Sequence, residues 1–336
     1  MPSRITMTDV ARRAGVSLMT VSRVVNQKGD VSPDTRQQIL DIIAELDYRP
    51  SGIARSLAKK ETHTIGLVIP DVTNPFFGDI TRGVERLAYA QGYHVFLCNS
   101  EEDPQRELAV IESLEEKRVD GLILCSSRVE EEQLVNLMRR LSAVVLVNRR
   151  LDLVENDLFE IVALDDENGG LMATQHLVQS GHRHIGFLAG PTTSYSGRLR
   201  KKGYSAAMEA IGLTPQPGWV VPCQPSVEGG YQAASDLLAR HPELTAVFCY
   251  NDLVAVGTLQ ACSEMKWRVP SDLAVVGHDD IPLAALVSPS LTTCRAPCKE
   301  LGARAVEALL ERLKDPQERD RCTILPPELI VRQSAP

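Results

Sequence analysis

From about residue 63 to the C-terminus, short continuous apolar runs alternate with stretches of helical periodicity. The runs are Ile65–Ile69, His94–Cys98, Gly121–Cys125, Val144–Val147, Ile185–Leu188, Ala246–Cys249 and Leu273–Val276. Helical stretches fall between them, for example Phe76–Gln91, Asn168–Ser180, Arg198–Ile211 and Leu253–Met265. Strands that are apolar throughout, rather than at every second residue, are buried on both faces. With helices between them they predict parallel sheets. The pattern occurs twice, over about 63–160 and 163–290, and so predicts two similar α/β lobes. Ligands on such sheets bind beyond the strand C-termini, which makes a cleft between the lobes the expected site.

The first 48 residues read differently. Thr6-Met7-Thr8-Asp9 has the form of a capping box, and Gly15 ends the helix that follows. Ser17 caps a second helix, Leu18 to Asn26, so a tight glycine turn joins two short helices in a helix-turn-helix. Val10, Ala14, Val16, Val21 and Val25 supply its expected core. A third helix starts at Ser32-Pro33-Asp34 and repeats Ile39, Ile43 and Leu46 at helical spacing. In a DNA-binding helix pair the second helix enters the major groove N-terminus first. Leu18, Met19, Ser22 and Arg23 are then the base-reading candidates and Thr20 a backbone contact, with Thr6, Ser17 and Asn26 beside them at the helix ends. A helix pair with a merely solvated basic face would show the same spacing. Residues 49–62 hold one more short helix signal, Ser51 capping Ala54, Arg55 and Leu57, too short to be stable alone.

Charge sharpens this division. The chain of 336 residues has a net charge of −8. Residues 1–61 nevertheless hold ten Lys/Arg against seven Asp/Glu, a net of +3, and the remainder carries −11. A small basic head on an acidic body confines nucleic-acid affinity to one end. The length suggests two or three folding units. The eight cysteines make no CxxC pair, as expected of reduced thiols rather than a metal site. No run of 18 apolar residues is present, and Met1-Pro2-Ser3-Arg4-Ile5-Thr6 has no apolar leader, so no membrane partner and a cytoplasmic location are expected. No P-loop, strand-linked GxGxxG or nucleophile elbow appears, and His182 and His184 have no evident metal partners. Neither enzyme, catalytic residue nor cofactor is therefore expected. A transport-type sugar-binding protein would share the body pattern but not the helical head or the missing leader.

Asp9-Val10-Ala11-Arg12-Arg13-Ala14-Gly15-Val16-Ser17, Thr20-Val21-Ser22-Arg23-Val24-Val25-Asn26 and Tyr48-Arg49-Pro50-Ser51-Gly52-Ile53-Ala54-Arg55-Ser56-Leu57 closely resemble the head and hinge of the lactose-repressor (LacI/GalR) family. The resemblance extends through the body, which is similar to a periplasmic sugar-binding protein. It implies an all-α helix-turn-helix head at 1–48, a hinge at 49–62 and a two-lobed α/β body at 63–336. The expected lobes are about 63–161 with 293–321, and 162–292 with 322–332. It implies a repressor, homodimeric on a pseudo-palindromic operator, with Leu57 as a minor-groove wedge flanked by Ala54 and Arg55. It also implies a small carbohydrate or sugar-acid effector between the lobes. By motif its site residues are Asn74, Phe76, Phe77, Asn148, Arg149, Arg198, Asn251 and Asp279. Thr62–Gly66, Cys98–Ser100, Lys117–Gly121 and Gly203–Met208 are most similar to the family's ribose-responsive sensors. Asn148 stands where aspartate is common there, and Pro225 where an aromatic is common, so a different pentose, a hexose or a sugar acid is also compatible.

Overall fold

A computed structural model describes residues 5–26, 29–48, 61–151, 159–315 and 322–336. The chain divides into two compact units, Met1–Thr62 and His63–Pro336. In the first, Thr6 and Asp9 close a reciprocal capping box over α1 (Met7–Ala14), and Gly15 ends it in the left-handed conformation. Ser17 caps α2 (Leu18–Val25), and Ser32 with Pro33 starts α3 (Pro33–Glu45). Val10, Ala11, Ala14, Val21, Val24, Ile39 and Tyr48 form the core, with Val16 and Val25 packed half-buried at its edge. Val24 was not among the expected core positions. The proposed hinge residues Ala54, Arg55 and Leu57 lie outside the described residues.

The second unit runs β1 (Thr64–Ile69), α4 (Pro75–Ala90), β2 (His94–Asn99), α5 (Pro104–Glu116), β3 (Gly121–Cys125), α6 (Glu131–Met138), β4 (Val144–Val147), β5 (Glu160–Leu164), α7 (Asp166–Gln179) and β6 (Ile185–Leu188). It continues through α8 (Tyr195–Glu209), β7 (Val220–Val221), α9 (Val227–Arg240), β8 (Ala246–Cys249), α10 (Asp252–Glu264), β9 (Ala274–Asp279), α11 (Pro282–Leu286) and β10 (Thr292–Arg295). It ends with α12 (Cys298–Lys314), β11 (Cys322–Leu325) and β12 (Glu328–Ile330). Two six-stranded sheets result, ordered β11-β5-β4-β3-β1-β2 and β12-β10-β9-β8-β6-β7. Neighbours are parallel except β10 and β12.

This topology moves the expected lobe boundaries. β5 lies wholly in the first sheet, so the first crossover follows Leu164 rather than 161. β10 pairs with β9 in the second sheet, so the return at 293 is delayed to Ala296-Pro297. β11 pairs with β5, which puts 322–325 in the first lobe and the last crossover at Pro326-Pro327. Consecutive prolines cannot continue a ladder, since neither has an N–H to donate.

Glycines set how closely the helices pack. A Cβ on Gly170 of α7 would lie 2.2 Å from the Arg200 carbonyl oxygen of α8, and one on Gly203 of α8 would lie 2.0 Å from the Glu167 carbonyl oxygen of α7. Gly230 and Gly257 join α9 to α10 in the same reciprocal way, and Gly83 and Gly302 join α4 to α12. Backbone-to-backbone packing leaves α7 and α8 no room to slide, which fixes where α8 delivers its side chains. Gly203→Ala therefore lowers unfolding free energy by about 1–3 kcal/mol in denaturant titration. Wild-type stability would show that these helices separate freely.

Candidate functional site

The strands of both lobes end at one cavity. It is lined by Asn74, Phe76, Phe77, Glu102, Ser126, Arg128 and Asn148 of the first lobe. Ser196, Arg200, Pro225, Tyr250, Asn251 and Asp279 line it from the second. Ser126, Asn148 and Asp279 follow or end β3, β4 and β9, and all three have positive φ, at 48°, 54° and 113°. Such conformations are costly away from glycine and cluster where side chains are turned to a purpose. The space a water can reach among these side chains is about 20 Å³, room for little more than one water, and Arg128 of the first lobe reaches Tyr250 of the second across it.

Three carboxamides share one design. Asn74 Oδ1 accepts from Phe76 N (3.0 Å) at the start of α4, and Asn251 Oδ1 accepts from Val254 N (2.9 Å) at the start of α10. Asn148 Oδ1 accepts from Leu164 N (2.9 Å), tying β4 to the end of β5. Each oxygen is spent on backbone, which leaves each Nδ2 as the amide's remaining donor on a buried, cavity-lining residue. Phe76 and Phe77 meet edge to face at 5.1 Å, and both also belong to the first lobe's core.

Charged groups at the cavity are paired. Arg200 is 3% exposed. Its Nε and Nη2 each lie 2.8 Å from Asp166 Oδ1, its Nη1 donates to the Tyr250 carbonyl, and its Nη2 is 3.7 Å from Asp279 Oδ1. Burial opposes its charge, but Asp166 and Asp279 outweigh that and hold it protonated more firmly than an ordinary arginine. Arg128 makes a two-pronged pair with Glu102, at 2.6 and 3.2 Å. Burial opposes its charge too, and Tyr250 of the opposite lobe and Glu102 overcome it. Burial pushes the Asp279 carboxyl up to about 7, against the pull of Arg200. The Asp252 carboxyl, behind it, is also raised, by burial and by Asp279.

Of the residues expected from sequence, Asn74, Phe76, Phe77, Asn148, Asn251 and Asp279 line this cavity, and Arg149 and Arg198 do not. Arg149 is buried, and its Nη2 donates to the Val129 carbonyl at 3.3 Å. Arg198 is exposed, with its guanidinium over the Tyr195 ring at 5.4 Å. The arginine that α8 brings to the cavity is Arg200. Ser194 caps α8 and starts it at Tyr195, so residue 198 is already a turn inside. Two residues along a helix is a rotation of about 200°, which sends residue 198 to solvent and residue 200 into the cleft. Sequence reading also missed Glu102, Ser126, Arg128, Ser196 and Tyr250.

In the head, Leu18 and Met19 are 50% and 66% exposed at the start of α2, and Arg23 is exposed one turn on. The Leu18 and Met19 side chains present apolar surface to solvent. Thr20 Oγ1 and Ser17 Oγ are 2.8 Å apart, and Asn26 Nδ2 donates to the Ser22 carbonyl (2.8 Å) and Oγ (3.3 Å). Thr6 Oγ1 donates to Asp9 (2.6 Å). Ser17, Thr20, Ser22, Asn26 and Thr6 are thus partly engaged locally, while Leu18 and Met19 project outward.

Residues 6–51 match the family model described as bacterial regulatory proteins, lacI family, and residues 174–335 match a periplasmic binding protein-like domain. The chain is 40% identical over 330 residues to the ribose operon repressor of Escherichia coli (strain K12), covering 98% of this chain and 99% of that one. It is 37% identical over 329 residues to the HTH-type transcriptional repressor PurR of Photobacterium profundum, covering 98% of each. It superposes on the lac repressor dimer bound to operator and the anti-inducer ONPF with a TM-score of 0.85 at 28% identity, over 99% of both chains. The helix-turn-helix head and two-lobed sensor thus have full-length counterparts among known repressors, and the chain belongs to the LacI family of DNA-binding, effector-controlled transcriptional repressors, which are not enzymes.

Proposed function

We propose that the effector is a neutral sugar of about pentose size, held between the lobes by Asn74, Asn148, Asn251, Arg200 and Asp279, with Phe76 and Phe77 against its C–H face. The observation that carries this is the matched set of donors and acceptors on the cavity wall. Three amide Nδ2 groups and two arginines offer hydrogens, while Asp279, Glu102 and the serine hydroxyls accept them. Sugar hydroxyls both donate and accept, and a planar guanidinium suits two neighbouring oxygens. Each cavity arginine already has its carboxylate, Glu102 for Arg128 and Asp166 for Arg200. That favours a neutral sugar over a sugar acid. The full-length similarity to a ribose operon repressor makes ribose the first sugar to test.

So narrow a cavity supports a mechanism. The lobes must part to admit a sugar, and a ligand touching both lobes stabilises the closed arrangement by as much as it prefers it. Operator affinity then changes only if the head and hinge respond to that arrangement. We place the repressor as a homodimer on a pseudo-palindromic operator, with Leu18, Met19 and Arg23 reaching the major groove and Leu57 wedging the minor groove. A second copy would also cover the edge strand β2, whose Phe96 and Leu97 are 46% and 42% exposed.

The direct test is calorimetry with ribose and a panel of neutral and acidic sugars. Arg200→Lys keeps the charge but loses the fork, so it should weaken ribose binding at least ~10-fold, as expected when charge-assisted bonds are lost. Arg198→Ala should stay within about threefold of wild type. The reverse ranking would return the site to Arg198, and tighter binding of acidic sugars would overturn the neutral reading.

Acidity gives an independent check. A sugar hydroxyl donating to Asp279 favours its ionised form, while in the free protein its carboxyl titrates at about 7. Binding therefore releases a proton below that pH. Affinity should rise as pH is raised towards 7, by at most about tenfold per unit for one proton, and level off above it. A flat profile between pH 5.5 and 8 would mean that Asp279 does not bind in its ionised form.

A further inference from the structure

Behind the cavity wall lies a histidine that no motif singled out. His278 precedes Asp279 on β9 and is completely buried. Its Nδ1 is 3.1 Å from Asp279 Oδ1, and this is the one hydrogen bond to the Asp279 carboxylate among the described residues. Arg200, the other cationic neighbour, is committed to Asp166 at 2.8 Å and stays 3.7 Å from Asp279. Asp279 itself sits on backbone at φ 113°, a conformation that needs support from its surroundings.

The rest of the imidazole's setting fixes its protonation. Nε2 has no hydrogen-bond partner among the described residues, and Asp166 Oδ1 on α7 is 3.9 Å away. The ring lies against Gly169, where a Cβ would come within 2.6 Å of Nε2, and Cys294 of β10 is its strand neighbour. The charged groups that act on the imidazole are Arg200 from α8 and Asp166 from α7, with Asp279 beside it on β9; Asp252 of α10 is turned to Thr293 and Ile281, and Asp280 to Arg295 and Arg332. A second ring proton would put an imidazolium, in the dry interior, beside the Arg200 guanidinium. Burial and then Arg200 push the His278 pKa well below the usual histidine value. With a single proton, only the Nδ1–H tautomer gives Asp279 a donor. Once Asp279 is ionised, the other tautomer would set two lone pairs facing each other at 3.1 Å.

We propose that His278 is a positioning residue of the effector site: as the neutral Nδ1–H tautomer it holds the Asp279 carboxylate in the orientation that reads the sugar. The proposal rests on the reading that Asp279 binds the effector. His278→Phe removes the donor and keeps a ring. His278→Asn keeps an N–H at about the place of Nδ1 and cannot titrate. Because a hydrogen bond to an ionised carboxylate lowers its pKa, removing the donor should also move the pH midpoint of effector binding.

Two measurements on the full chain decide it. Nitrogen-15 spectra of histidine-labelled protein at pH 8, where Asp279 is ionised, should show one ring in the neutral Nδ1–H form, absent from His278→Asn. A charged ring or an Nε2–H tautomer at that position would overturn the proposal without any ligand. In calorimetry with ribose, His278→Phe should bind about tenfold more weakly or worse, with its pH midpoint moved upward. His278→Asn should stay within about threefold of wild type with its midpoint unchanged. Wild-type binding by His278→Phe, or equal losses in both variants with no shift of midpoint, would show that the histidine only fills space. If wild type binds no ribose and no other sugar of the panel, the effector reading fails, and the spectra alone decide the histidine's role.

Discussion

A fully buried guanidinium stays charged, so the chain must bring it partners, and Arg200 obliges four elements of the second lobe to converge. Asp166 comes from the start of α7, the Tyr250 carbonyl from the end of β8, and Asp279 from the end of β9, while Arg200 rides on α8. Removing one member of such a buried pair typically costs about 3–5 kcal/mol, because the other charge is left uncompensated. The same residue is also a backbone contact, since its carbonyl sits where a Cβ on Gly170 would be. One position thus fixes both the spacing of α7 and α8 and the polar floor of the cleft.

The first lobe answers with the same economy. Asn74 and Asn148 cap or tie backbone through Oδ1 while lining the cavity, as Asn251 does across the cleft. A role in stabilising loops and a role at the cavity are therefore not alternatives for these residues. Arg128 reaches from the first lobe to Tyr250 of the second while held by Glu102. A polar link of this kind makes lobe closure a definite state that a ligand can favour, rather than a continuum of gaps.

The sequence spoke plainly where one physical requirement dominated. Gly121–Cys125, Val144–Val147, Ile185–Leu188 and Ala246–Cys249 are central strands buried on both faces, and their expected and observed ends coincide. The caps at Thr6, Ser17 and Ser32 were equally legible, because a cap is a local transaction. Strands that break the apolar rule were not. β5 carries Glu160, compensated by Arg312 3.3 Å away and 152 residues on, and β10 reads Thr-Thr-Cys-Arg, with the Thr292 hydroxyl bonded to the C-terminal segment. Both depend on partners distant in sequence, and the lobe boundaries were misplaced for that reason. Arg200 was missed on a finer point, helix phase: motif reading found the right helix but not which of two arginines faces inward. His278 carried no signal at all, since its meaning lies in the carboxylates that folding brings around it.

The central claim is that occupancy of the cleft and occupancy of the operator are linked. Linkage is reciprocal: whatever factor the sugar applies to operator affinity, the operator must apply to sugar affinity. The decisive measurement is a grid of operator-binding isotherms across ribose concentrations at fixed salt, with ribose calorimetry repeated on the operator-bound protein. The account predicts that the operator Kd moves with ribose and saturates, and that the ribose Kd changes by the same factor when operator is bound. An operator Kd that stays constant while calorimetry shows the cleft filled would contradict it.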